Sequence, residues 1–226
     1  MPALRKAFKK NMPQLAVIFD VDGVLVDSYQ AHLQSWQQML AEQGLAFTED
    51  HFRATFGRTS GDILKELCGS DTSQGELEAF DDRKEALYRE MICKEFPTID
   101  GAVQLIDSLS AAGLALAVGS SGPPENIRLT LDCLGRADNF AVQVTRTDVT
   151  RGKPDPQVFL IAAHRLGVPP AQCCVVEDAP AGIEAANRAG MTSIALTGTA
   201  TREQLADANL VVDSLKELTA EQIRLL

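Results

Sequence analysis

The chain has 226 residues, 45% hydrophobic and 23% charged, enough to bury a full core in one domain with a modest insertion. Its 21 basic and 31 acidic side chains leave a formal net charge of −10, which repels nucleic-acid phosphates over most of the surface, so no nucleic-acid partner is expected. No apolar run approaches the roughly 20 residues needed to cross a bilayer, and no membrane partner is expected either.

The opening stretch MPALRKAFKKNM lacks the apolar segment of a secretory signal, so a cytoplasmic location is expected. Arg5, Lys6, Lys9 and Lys10 within it read as a solvated lead-in, and no function is assigned to them. Residues 15–19 (LAVIF) are a short continuous apolar run of the kind that makes a buried parallel strand. From 29 to 96 the patterns are helical throughout, at 32–43, 62–68 and 75–95, which marks an inserted helical domain. After it, apolar runs at 114–119, 173–176 and 192–196 alternate with helical patterns at 102–112, 124–134, 156–166 and 179–189. Gly113, Gly135, Gly167 and Gly190 stand at the helix stops. Strand and helix in alternation predict a doubly wound, Rossmann-like α/β core made of residues 1–28 and 97–226. The insertion follows the carboxyl end of the first strand, where open α/β sheets bind ligands, so it is placed to cover that site. The five cysteines, Cys68, Cys93, Cys133, Cys173 and Cys174, contain no CxxC pair and suit a reducing compartment. Cys173 and Cys174 open an apolar run, where small buried side chains are expected.

The residues able to carry chemistry stand at the ends of these strands. Asp20 and Asp22, in the DVDG after LAVIF, share one side of the chain if it stays extended, and Gly23 permits the turn that follows. Aspartates also end strands and begin turns routinely. Glu177 and Asp178 follow CCVV, and clustered carboxylates there can supply oxygen ligands to a magnesium ion together with Asp20. Taken alone, Asp178 reads first as a cap for the helix that begins beside it, and one residue can serve as both cap and ligand. Ser120 and Ser121 follow LALAVG near a helix start, a natural phosphate seat as well as a natural cap. Lys153 lies between Gly152 and Pro154, where a held ammonium can neutralise phosphate oxygens or the charge of a nucleophile.

With FDVDGVLVDS, the hydroxyl at Ser120, GKPDPQVF and VVEDAPAGIEAANRAGM in this order, the chain resembles the haloacid dehalogenase-like phosphohydrolases, and within them the β-phosphoglucomutase and small-molecule phosphatase branch. The resemblance implies that Asp20 attacks phosphorus to form an aspartyl phosphate and that Asp22 acts as the acid and base. It implies that Ser120 and Lys153 hold the transferring phosphate. It further implies that magnesium is bound by Asp20, the Asp22 carbonyl, Glu177 and Asp178, and that residues 29–96 form a helical cap. His32, Trp36 and Lys84 match cap positions of the mutase, with Arg58 standing near a mutase arginine whose own place is taken by Ser60. Trp36 at helical spacing with His32 and Leu40 equally reads as packing, and Lys84 in DDRKEALYRE equally reads as part of a solvated face. Where the mutase has a serine and a lysine for its second phosphate, this chain has Gly122 and Pro123. The expected reaction is therefore hydrolysis of a small phosphate monoester, a sugar phosphate, by a monomeric magnesium enzyme, with the phosphosugar mutase as the alternative. A dehalogenase would need neither the metal pair nor Asp22, and a phosphate-accepting receiver domain would not need the cap.

Overall fold

The computed structural model describes residues 15–55, 60–69 and 72–226; the basic cluster at Arg5 to Lys10 and the candidate Arg58 lie outside them. The strands are β1 (Ala16–Phe19), β2 (Ala115–Gly119), β3 (Phe140–Val144), β4 (Cys173–Glu177), β5 (Thr192–Leu196) and β6 (Leu210–Val212). They form one sheet in the order β3-β2-β1-β4-β5-β6, parallel throughout, the doubly wound architecture expected from the alternation.

β1 is central, and its four residues are buried because each face of the sheet has its own helical layer. Val17 and Phe19 point into a cluster with Leu105, Ile106, Ile127 and Leu131, from α5 (Ala102–Ala111) and α6 (Pro124–Leu134). Ala16 and Ile18 point the other way, into a cluster with Phe159, Ala162, Ala185 and Ala186 from α7 (Gln157–Leu166) and α8 (Pro180–Arg188). Alternation along an extended chain thus serves two cores at once. Truncating Phe19 to alanine is expected to cost about 3–5 kcal/mol.

Between β1 and β2 lie α1 (Tyr29–Glu42), α2 (Glu49–Thr55), α3 (Ser60–Cys68) and α4 (Gln74–Ile92). They share a separate apolar cluster that includes Leu33, Trp36, Leu40, Phe47, Phe52, Leu64 and Leu87. Trp36 is buried there with its ring 5.7 Å from that of Phe47, the packing role its helical spacing implies. α4 begins at a capping box in which Ser73 and Glu76 exchange hydrogen bonds, and it ends three residues before the expected 95. The chain enters and leaves this segment side by side: the Asp27 N–H bonds the Pro97 carbonyl (2.8 Å) and the Ile99 N–H bonds the Leu25 carbonyl (3.2 Å). Among the described residues no helix is long and apolar enough to cross a membrane. Cys173 and Cys174 are buried as expected, and all five cysteines are free thiols.

Candidate active site

Register fixes the level of the site. Phe19 pairs with Val118 on one side and Val176 on the other, so Asp20, Ser120 and Glu177 emerge together at the carboxyl edge of three adjacent strands. Asp20 stays tied to β4 through its N–H and the Val176 carbonyl (2.9 Å). The chain then turns instead of continuing extended, with the Leu25 N–H on the Val21 carbonyl and Gly23 at φ 74°. The turn, not a pleat, brings Asp22 to the same place, which corrects the extended geometry expected for the pair. Gly23 is required twice, by its left-handed φ and because a Cβ there would collide with the Asp178 carboxylate.

Asp20, Glu177 and Asp178 are all buried, and each offers an oxygen within 4.8 Å of the others. Lys153 bridges two of them, with Nζ 2.7 Å from Asp20 Oδ1 and 2.5 Å from Glu177 Oε1. The other Glu177 oxygen accepts the N–H groups of Asp178 and Ala179, both at 2.8 Å. Gly182, in the first turn of α8, leaves the space this carboxylate fills, since a Cβ there would coincide with it. The cap expected of Asp178 is not made: the residue before α8 is Ala179, without a side-chain bond, and Glu177 takes the free amides instead. Ser120 is not a cap either. Its buried Oγ accepts the Gly122 N–H (3.0 Å), and Pro123 precedes α6. A point beside Gly122 lies 3.4 Å from Ser120 Oγ and 3.8 Å from Asp22 Oδ2, so hydroxyl and carboxylate border one space. Ser121 is exposed.

Electrostatics follow from this crowding. Burial, together with the charges of Glu177 and Asp22, pushes the Asp20 carboxyl up to about 7 even though Lys153 pulls it down. Asp178 is raised well above the usual carboxylate range by burial and by its two acidic neighbours. Burial works against the Lys153 charge, but Asp20 and Glu177 outweigh it and hold the ammonium above its ordinary value. Three buried carboxylates facing one ammonium leave an excess of negative charge that a hard, oxygen-liganded divalent cation suits.

Asp22 has different neighbours. Its Oδ1 meets His32 Nε2 at 3.2 Å and the Tyr88 hydroxyl at 3.4 Å, and the His32 and Tyr88 rings stack 4.1 Å apart. Burial opposes ionisation here, yet the hydrogen bond from His32 and the positive charge of Lys84 behind it hold Asp22 below the usual carboxylate range. The other ring nitrogen of His32 accepts from Lys84 Nζ (3.0 Å), which also donates to Glu85 Oε1 (2.8 Å). Lys84 is 3% exposed, so the solvated-face reading fails for it and holds for Arg83, which is exposed and paired with Glu42. Tyr88, Glu85 and Asp81 were missed in the sequence, although they fall on the face of α4 that carries Lys84, at the helical spacing i, i+3, i+4 and i+7. Asp81 is paired with Arg146 at 2.7 Å, and Asn126 at the start of α6 donates to Glu85 Oε2 (2.6 Å). Thr199, also missed, places its Oγ1 near the Asp178 carboxylate beside Gly23 and pulls that carboxyl down against the larger effect of burial.

A family model described as haloacid dehalogenase-like hydrolase matches residues 17–196. The chain is 34% identical over 206 residues to validoxylamine A 7'-phosphate phosphatase of Streptomyces hygroscopicus subsp. limoneus, covering 89% of this chain and 94% of that one. It is 32% identical over 213 residues to the β-phosphoglucomutase of Bacillus subtilis strain 168, covering 91% and 92%. The crystal structure of β-phosphoglucomutase from Clostridium difficile superposes with a TM-score of 0.83 at 28% identity, over 93% of this chain and 96% of that chain. With its strand-edge acids and its parallel sheet in hand, the chain belongs to the haloacid dehalogenase-like hydrolases and is an enzyme akin to their phosphatases and phosphosugar mutases.

Proposed function

We propose that the protein is a magnesium-dependent phosphatase that hydrolyses a small phosphate monoester, a sugar phosphate, through an aspartyl phosphate on Asp20. The observation that carries the reading is the buried Asp20 carboxylate held by Lys153 beside Glu177 and Asp178 at the sheet's carboxyl edge. An Asp20 oxygen attacks phosphorus, the ester bond breaks, and the departing alcohol takes a proton from Asp22. In the second half a water loses its proton to Asp22 and attacks the phosphorus, freeing Asp20 and phosphate, so Asp22 ends as it began. The His32 contact, which holds Asp22 ionised, suits the base half; the acid half needs Asp22 to be protonated first. Ser120 and Lys153 hold the phosphate oxygens. Asp20, Glu177, Asp178 and the Asp22 carbonyl are the ligands for magnesium, which when bound offsets the charge between carboxylate and phosphate. Residues 29–96 act as the cap, hinged near residues 28–31 and 96–100. His32 and Lys84 are its contributions to the site, and Arg58 and Ser121 complete the substrate contacts.

A phosphosugar mutase would use the same phosphoenzyme, and the meeting of His32 and Lys84 at Asp22 favours that second reading. Against it, Gly122 has no side chain and Pro123 no N–H, so neither offers a donor to a second phosphate beyond the Gly122 amide already bonded to Ser120. The test is phosphate release from a panel of phosphate monoesters with magnesium and with chelator. Release from at least one sugar monophosphate that needs magnesium is expected; no release from any ester overturns the reading.

A further inference from the structure

Among the described residues, Lys84 and Arg146 also reach the neighbourhood of the phosphate seat held by Lys153. Lys84 is one residue removed from Asp22, through His32. Arg146 follows β3, and its N–H bonds the Gly122 carbonyl (3.0 Å), in the loop whose next contact is Ser120 Oγ. Each is discharged by an acid on one face of α4. Glu85 is 5% exposed and takes Lys84 at 2.8 Å, while its second oxygen is held at 2.6 Å by Asn126 of the core. Asp81 takes Arg146 at 2.7 Å through Oδ2, and its Oδ1 is buried without any hydrogen-bond partner. A buried carboxylate oxygen without a donor is costly to leave so, and a hydroxyl relieves it while a second anion aggravates it.

We propose that Asp81 and Glu85 set the substrate class. By pairing with Arg146 and Lys84 they make both cations unavailable to a second anion on the face of α4 toward the phosphate seat. That face admits phosphate monoesters of neutral polyols and rejects esters that carry a second anionic group. The inference rests on the phosphatase reading and adds the two residues that decide between alcohols. Rejection here comes from what faces the wrong ligand as much as from contacts to the right one. An unpaired Lys84 and Arg146 would be ready donors to a distal phosphate; paired, each must first be pulled from its carboxylate.

The test uses Asp81→Asn and Glu85→Gln, which keep shape and remove one negative charge each. Each is made in the full chain and combined with Asp20→Asn so that ligands are not consumed. Binding of glucose 6-phosphate and of glucose 1,6-bisphosphate is measured calorimetrically with magnesium present. The ratio of the two dissociation constants is expected to shift toward the bisphosphate by about ten-fold or more in each variant, the size of one charge-assisted contact. Asp81 is the less buried of the two, so Asp81→Asn keeps the test available if Glu85→Gln fails to fold. A ratio unchanged within about two-fold in the folded variants overturns the proposal. Phosphate release from glucose 6-phosphate and the other monoesters by the unmodified enzyme is followed in parallel. Its absence would fail the phosphatase reading, while the binding ratio still decides the role of Asp81 and Glu85.

Discussion

Lys153 Nζ stands 2.7 Å from Asp20 Oδ1, and the same ammonium reaches across to Glu177, so one cation ties the end of β1 to the end of β4. With Lys153→Met the pair of carboxylates faces itself. Phosphate release is expected to fall by about 10²–10³-fold, the usual loss of one preorganised charge contact in a dry site. The variant is also expected to lose on the order of 3–5 kcal/mol of stability without metal, because buried charges are left uncompensated. Steady-state kinetics and thermal melts with and without magnesium check both. Activity within about ten-fold of the parent would remove Lys153 from the transition state.

Asp20→Asn is expected to abolish turnover while leaving the fold intact. An amide cannot accept the phosphoryl group, and its shape matches the carboxylate it replaces. The readout is phosphate release together with intact-mass detection of a phosphoenzyme after acid quench. A phosphorylated variant, or sustained turnover, would move the nucleophile elsewhere.

Asp20 titrates near 7 in the folded chain and near 3.8 when exposed, so the fold binds more protons than the unfolded chain between those values. Stability from this group is complete below about pH 4 and is lost as pH rises through about 7, with Asp178 shifted in the same direction. A divalent cation relieves the repulsion and itself binds better once the acids are ionised. The gain in melting temperature on adding magnesium is therefore expected to grow from pH 5 to pH 8. A gain independent of pH would place the cation elsewhere.

Much of this was legible in the sequence, and the parts that were not share physical causes. β1, β2, β4 and β5 are covered on both faces and so appear as continuous apolar runs. β3 and β6 lie at the sheet's edges, where burial is partial: FAVQV is broken by Gln143, and LVV is only three residues long. The clustered acids Asp20, Glu177 and Asp178 were readable because each stands at or just past the last residue of a buried strand, at the level where the sheet ends. The capping role of Asp178 was misassigned because Glu177, one residue earlier, can fold back on the same amides. On α4 the charged string DDRKEALYRE looks solvated because charge alone does not say which face turns inward. Tyr88 at 1% exposure supplies the orientation, and with it Lys84 and Glu85 are drawn under cover.

Gly182→Ala puts two effects in opposition. Alanine favours the helix by about 1 kcal/mol over glycine, but its Cβ would occupy the place of the Glu177 carboxylate. That carboxylate is anchored by Lys153 and two amides and cannot move without breaking them. The clash is expected to win, raising the magnesium needed for half-maximal activity by about ten-fold or more, as displaced metal-site partners do. Magnesium titration of activity checks this, and an unchanged requirement would show that Glu177 is not a ligand.

Phosphate release from at least one sugar monophosphate is expected to outrun conversion of β-glucose 1-phosphate to glucose 6-phosphate. On the proposed mechanism both reactions would share the Asp20 phosphoenzyme and differ in what accepts the phosphoryl group. A mutase must exclude water while a bisphosphate turns over, which calls for donors at a second phosphate position. Gly122 and Pro123 provide no side-chain donor there, and Lys84 is already shared between His32 and Glu85. Each missing charge-assisted contact weakens bisphosphate binding by about 1.5–3 kcal/mol, enough for water to compete. A coupled assay for glucose 6-phosphate run beside a phosphate assay, with glucose 1,6-bisphosphate as activator, measures the two outcomes. Fast glucose 6-phosphate formation with little free phosphate would reverse the order and show that Lys84 leaves Glu85 for the distal phosphate during turnover.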